Sequence, residues 1–232
     1  MDMAARLKAV RQRISLAANQ AGRNPQSVTL IAVSKTQSDC DIAQAWRLGQ
    51  RHFGESYVQE AMHKQQKLAH FPMSWHFIGP LQSNKTRHVA NAFSWVHSVD
   101  RYKIAKRLSE HRSEQLPALN ICLQVNISQE PTKSGVLPAQ LPELAESVSR
   151  LPHLNLRGLM AIPARTDDLA QQRRLFRELR SLYDQLNQFN LDTLSMGMSN
   201  DLEAAVAEGA TLVRVGTDLF GTRKVELDGL RE

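Results

Sequence analysis

Little in this 232-residue sequence can serve a metal, a disulfide or a membrane. It holds two cysteines, Cys40 and Cys122, at no metal or redox spacing; such usage suits a reducing compartment. No apolar run approaches the roughly 20 residues needed to span a bilayer. The first twenty residues carry Lys8, Arg11 and Arg13 within an amphipathic pattern, not the apolar segment of a signal peptide. A soluble, cytoplasmic protein is expected, with no membrane partner. A G-x-x-x-x-G-K-[ST] loop is also missing, which argues against a nucleoside triphosphate. No stretch rich in Pro, Gly or Ser divides the chain, so a single domain is expected. Lys and Arg outnumber Asp and Glu by 29 to 23. The charges lie scattered on helical segments (Arg101, Lys103, Lys106, Arg107; Arg173, Arg174, Arg177, Arg180), with no aromatic residues interleaved for stacking bases. Solvated helix faces account for them better than nucleic acid does. A basic surface would equally attract small phosphorylated molecules.

What is present is a regular alternation. Leu7, Val10, Ile14 and Ala17 at helical spacing predict an amphipathic helix over residues 3–21. A short apolar run, 29–34, then reads as a strand, and Ser38 can cap a helix ending before Gly49. The unit recurs with strands near 51–55, 75–79, 95–99, 119–127, 154–162, 193–197 and 211–216. Helices fall at 57–68, 84–92, 101–113, 139–150, 168–188 and 201–208. Several strands are continuously apolar, as in a parallel sheet covered by helices. The pattern predicts an α/β protein, a (β/α)8 TIM barrel with an additional N-terminal helix. Residues 1–24 form that helix packed on the barrel, 25–221 the barrel and 222–232 a tail.

Active sites of such barrels lie at the C-terminal ends of the strands, and polar residues of this chain gather there. Lys35 ends strand 1, with no other charge near it. Partial burial would lower its pKa and leave an amine able to capture a carbonyl as an imine. It could equally snorkel to the rim and pair with a carboxylate such as Glu55. Strand 7 runs into Met198, Ser199 and Asn200, where Ser199 can cap a helix; strand 8 runs from Arg214 into Gly216 and Thr217. Loops after strands 7 and 8 frequently bind phosphate in this fold. Strand 8 closes against strand 1, so a ligand carrying both an aldehyde and a phosphate would join the two features. Pyridoxal 5'-phosphate is such a molecule.

The segments AVSKT (32–36), FGESYVQE (53–60), WHFIGPLQSNK (75–85), GLMAIP (158–163), SMGMSND (195–201) and VRVGTDLFG (213–221) resemble those of the pyridoxal phosphate homeostasis proteins. These are single-domain relatives of the alanine racemase N-terminal barrel. The resemblance implies that Lys35 carries the Schiff base and that Ser199, Gly216 and Thr217 bind the phosphate. It also implies that Arg214 faces the pyridine nitrogen. Met198, Met160 and His76 are placed at the pocket wall. The family pattern reads G-E-N-Y where this chain has Ser56, a shorter side chain that weakens a polar contact near the ring hydroxyl. His76 and His97 suggest a metal only superficially, since no third ligand is suitably spaced. Lys133, in the loop Pro131–Gly135, is a rival amine: an exposed loop lysine, or a second reversible aldehyde site.

Two functions compete. One is a non-catalytic carrier that binds pyridoxal phosphate and related B6 vitamers, taking part in intracellular homeostasis and passing the cofactor to apo-enzymes. The other is an amino-acid racemase. Racemization needs acid/base groups on both faces of the bound substrate. The resemblance places the alanine racemase tyrosine base in a second domain. The chain ends about fifteen residues after the last barrel strand, which leaves no room for one. None of Tyr57, Tyr102 and Tyr183 repeats that arrangement. A carrier, acting as a monomer, is the expectation.

Overall fold

Asp2 opens the first helix, its carboxylate accepting a hydrogen bond from the Ala5 amide at 2.8 Å. The computed structural model describes residues 2–130 and 132–221; the expected tail over 222–232 lies outside the described residues. Helix α1 (Met3–Gln20) buries Leu7, Val10, Ile14, Ala17 and Ala18, the stripe its periodicity predicts. That face rests on the outside of the barrel, against α8 (Leu202–Ala207) and α9 (Thr217–Phe220).

Eight parallel strands close a barrel in sequence order: β1 (Thr29–Val33), β2 (His52–Glu55), β3 (Ser74–Phe77), β4 (Trp95–Val99), β5 (Leu119–Gln124), β6 (Leu154–Met160), β7 (Thr193–Ser195) and β8 (Leu212–Val215). Between them run α2 (Asp39–Arg47), α3 (Val58–Lys67), α4 (Thr86–Ala92), α5 (Tyr102–His111), α6 (Leu141–Ser149) and α7 (Leu169–Asp184). Ser38 caps α2 as expected, accepting from the Asp41 amide. Phe53, Phe77 and Phe176 are fully buried; burying such a side chain stabilises a fold by roughly 1.5–3 kcal/mol. No helix among the described residues is long and apolar enough to cross a membrane.

Differences from the sequence expectation are local. The strand expected to reach 127 stops at Gln124, because Val125 and Asn126 turn to pair with Val136. The helix expected to reach 188 ends at Asp184; a 3-10 turn, Asn187–Phe189, and a left-handed Asn190 follow. Helix α9 was not expected. Gly158 has a packing reason: a Cβ there would lie 1.7 Å from the Thr193 carbonyl oxygen, so β6 meets β7 only through a glycine.

Candidate functional site

β8 hydrogen-bonds to β1 with Thr29 opposite Leu212, Ile31 opposite Arg214 and Ala32 opposite Val215. This register carries Gly216 alongside Val33, and a Cβ on Gly216 would stand 3.2 Å from the Val33 carbonyl oxygen. Lys35 follows two residues beyond Val33, half-buried, and Thr217 follows Gly216, exposed. The backbone at Lys35 and that at Gly216 and Thr217 therefore leave neighbouring strands at one corner of the mouth. Met198 and Ser199 follow β7 at the adjoining corner, Met198 exposed and Ser199 half-buried. Ser56 stands half-buried beyond β2, under the turn at Gly79.

The backbone on both sides of Lys35 is clamped from α3. Lys64 is buried and donates to the Ser34 carbonyl at 2.7 Å, while Glu60 accepts from the Thr36 amide at 2.5 Å. Lys64 also pairs with Glu60 at 2.5 Å and with fully buried Glu55 at 2.9 Å. The Ser34 hydroxyl donates to the same Glu55 oxygen at 2.7 Å. Glu55 thus serves Lys64 and Ser34. Burial raises its carboxyl pKa, against the lowering effect of Lys64. Thr36 sits at φ 65°, a left-handed conformation that the clamp maintains. The sequence signal for this cluster was the i,i+4 pair Glu60–Lys64, which by itself reads as an ordinary helix-surface pair.

Beneath the mouth the lumen is polar. His97 Nδ1 lies 2.7 Å from Ser195 Oγ. Their strands, β4 and β7, are not neighbours in the sheet, so this contact passes through the barrel's interior. The row continues from His97 Nε2 to His76 Nδ1 at 2.9 Å and from His76 Nε2 to His52 Nδ1 at 3.0 Å. At its other end Arg214 donates from Nη1 to Ser195 Oγ at 2.6 Å and from Nη2 to the Ala161 carbonyl at 2.9 Å.

The direction of this row follows from Arg214, which has only donors. Ser195 accepts from Arg214, which leaves its own proton available to His97 Nδ1. With that proton so placed, neutral rings protonated on Nε2 complete the row, His97 donating to His76 and His76 to His52. Burial agrees. It pushes His97 down to about 3, with Arg214 adding to the shift, and holds His76 well below the usual histidine range. His52 is lowered too. Arg214 falls to about 10 through burial, partly offset by Asp201, and stays charged at neutral pH.

These contacts revise several expectations. His76, a member of the histidine row, and Met160, at the end of β6, are both fully buried. His52 is a third histidine that spacing alone did not reveal; the rings bond one another in a row, and no metal-holding group occurs among the described residues. Ser199 does not cap α8. Asp201 holds the N-cap position and accepts from the Met198 amide at 2.6 Å instead. The Ser199 carbonyl accepts from Arg13 of α1 at 2.8 Å. Lys133 pairs with Glu130 at 2.8 Å, and its loop neighbour Pro131 lies outside the described residues. A 250 Å³ cavity lies elsewhere, lined by Phe93, Arg112 and Pro117. That cavity borders the residues leading into β4 and β5, at the N-terminal ends of the strands, so the mouth remains the better candidate.

Residues 5–224 match the family model for the alanine racemase N-terminal domain. A Pseudomonas aeruginosa protein named pyridoxal phosphate homeostasis protein is 59% identical over 92% of this chain and 93% of its own length. An Escherichia coli K12 protein of the same name is 50% identical over 96% of this chain and 97% of its own. The structure of PipY from Synechococcus elongatus, with PLP bound, superposes with a TM-score of 0.83 at 41% identity, covering 95% of this chain and 100% of PipY. Alanine racemase from Corynebacterium glutamicum shares the fold at a TM-score of 0.70 and 15% identity, over 93% of this chain and 62% of that enzyme. With its closed barrel, its strand-end lysine and relatives alike over nearly their whole length, the chain belongs to the pyridoxal phosphate homeostasis proteins of the alanine racemase N-terminal domain family.

Proposed function

We propose that this chain binds pyridoxal 5'-phosphate at the C-terminal mouth of the barrel and serves as a carrier in its homeostasis. One observation supports the reading: the β1–β8 register, by which the strand that leads into Lys35 pairs with the strand that carries the buried Arg214 and leads into Gly216 and Thr217. The donor set fits the group, since it offers an amine, a fixed cation and hydroxyls to an aldehyde that also bears a phosphate. Lys35 would hold the aldehyde carbon as a Schiff base. Ser199, Gly216 and Thr217 would hold the phosphate, and Arg214 would face the ring nitrogen. Ser56 and Met198 border the ring, while Met160 and His76 support it from the lumen. When bound, the cofactor supplies a carbonyl for reversible capture by amines and a ring that accepts electron density.

The residues around it favour holding over turnover. Arg214 keeps its protons at neutral pH, and the Ser195–His97–His76–His52 row accepts from it without returning one. A ring nitrogen facing Arg214 would gain no proton, so it would draw electrons weakly. Tyr183, whose hydroxyl donates to the Leu191 carbonyl at 2.5 Å, is committed to the loop before β7. The curated relatives carry the name of homeostasis proteins rather than of enzymes. Apo-enzymes that use the cofactor would be the recipients. The carrier would act as a monomer.

Borohydride reduction of the loaded protein, followed by peptide mapping, tests the assignment. The expected result is a pyridoxyl group on Lys35 and its loss in Lys35→Ala. Undiminished labelling in that variant would overturn the site, and robust racemization of any amino acid would overturn the carrier reading.

A further inference from the structure

We propose that Arg13, on α1 outside the barrel, is a positioning residue that makes the site selective for a phosphorylated ligand. It does so by fastening the turns after β7 and β8 to one another. The inference rests on the reading above that those two turns hold the phosphate.

Arg13 stands on α1 between the buried Val10 and Ile14, so the docking of the helix fixes its stem. Its guanidinium reaches both turns at once. Nε and Nη2 grip the two carboxylate oxygens of Glu203 at 2.7 and 2.9 Å. Nη2 also donates to the Ser199 carbonyl at 2.8 Å, and Nη1 donates to Asp218 at 2.5 Å. Glu203 lies in the first turn of α8, and Asp218 directly follows Thr217. An exposed ion pair ordinarily adds little stability. Here one planar, rigid fork has three partners on two separate turns, and its value is geometric.

Two consequences bear on an anion. In a trans peptide the C=O and the following N–H point in opposite directions. Holding the Ser199 carbonyl toward α1 therefore turns the Asn200 N–H away from α1. The second consequence is charge. Glu203 and Asp218 would set two carboxylates beside a phosphate, and Arg13 neutralises them at contact distance. Glu203 is accordingly held below the usual carboxylate range by its hydrogen bond to Arg13. Without Arg13 the turns would lose their fixed relation and an anion would meet uncompensated negative charge.

The test compares pyridoxal phosphate with pyridoxal, which has the same aldehyde and ring but no phosphate. In Arg13→Ala the dissociation constant for pyridoxal phosphate is expected to rise about tenfold or more, since prepaid ordering and two charges are lost, while that for pyridoxal stays within about twofold. Arg13→Lys, whose single ammonium cannot span both turns, should fall between and provides the measurement if the alanine variant does not fold. Arg23→Ala is the control. Arg23 ties the end of α1 to the carbonyls of Val206 and Ala210 without touching either turn, so its loss should leave the ratio of the two affinities unchanged. Equal weakening for both ligands in Arg13→Ala, or an unaltered ratio, would overturn the proposal. Should the wild-type protein itself show no preference for pyridoxal phosphate, the phosphate reading of the turns fails; a preference that survives in Arg13→Ala sinks only the role of Arg13.

Discussion

His97 shows how far burial can set the state of one side chain. It is fully buried, with Ser195 Oγ 2.7 Å from Nδ1 and His76 2.9 Å from Nε2, and burial keeps the ring neutral. In an unfolded chain a histidine takes up a proton near pH 6.5, whereas His97 in the fold does so only near 3. Between those values the unfolded state binds the extra proton, so the protein loses stability as pH falls from neutrality, and the loss is complete near pH 3. Each proton excluded by the fold contributes a slope of about 1.4 kcal/mol per pH unit. Urea unfolding measured between pH 6 and pH 4 should show the slope of stability against pH reduced by about one proton in His97→Gln. A slope equal to that of the wild-type protein would mean that His97 is charged in the fold and that the hydrogen-bond row runs otherwise.

At the scale of elements, β7 is the shortest strand, three residues, and part of its pairing with β8 comes from a side chain. The Thr211 hydroxyl accepts from the Leu194 amide at 2.9 Å, while the Thr211 amide donates to the Leu194 carbonyl at 3.0 Å. Leu194 is buried, so Thr211→Val leaves its N–H without that partner and should lower stability by about 1–3 kcal/mol. Thr211→Ser, which keeps the hydroxyl, should lose clearly less; equal losses measured by urea midpoints would assign the effect to packing instead. The alternation of strands and helices was legible because periodicity and burial follow the same residues, as with Leu7, Val10 and Ile14 on α1. That the strands leading into Lys35 and into Gly216 and Thr217 are neighbours was legible because strand order alone makes β8 the neighbour of β1. His52 and Arg13 were not. Their roles depend on how the barrel's stagger aligns side chains across the lumen and on where α1 docks, neither of which leaves a local pattern in the chain.

For the molecule as a whole, the proposed site lies across the seam where the barrel closes. β1, β7 and β8 supply its corners, and through Arg13 the first helix is tied to the turns that precede the last two. The opposite wall is built differently: β5 and β6 pair over six registered positions, from Leu119 with Leu154 to Gln124 with Met160. A ligand raises the free energy only of those openings that destroy its site. Pyridoxal phosphate should therefore slow hydrogen exchange at the amides of Leu194, Met196 and Arg214, which join β7 and β8, by about tenfold or more at saturating ligand. The amides of Ile121 and Leu123 on β5 should change much less, provided that local openings rather than global unfolding carry the exchange at the seam. Native-state exchange with and without the ligand decides this. Equal protection on β5 and at the seam would show that the barrel opens only as one unit, and the closing strands would then hold no separate place in binding.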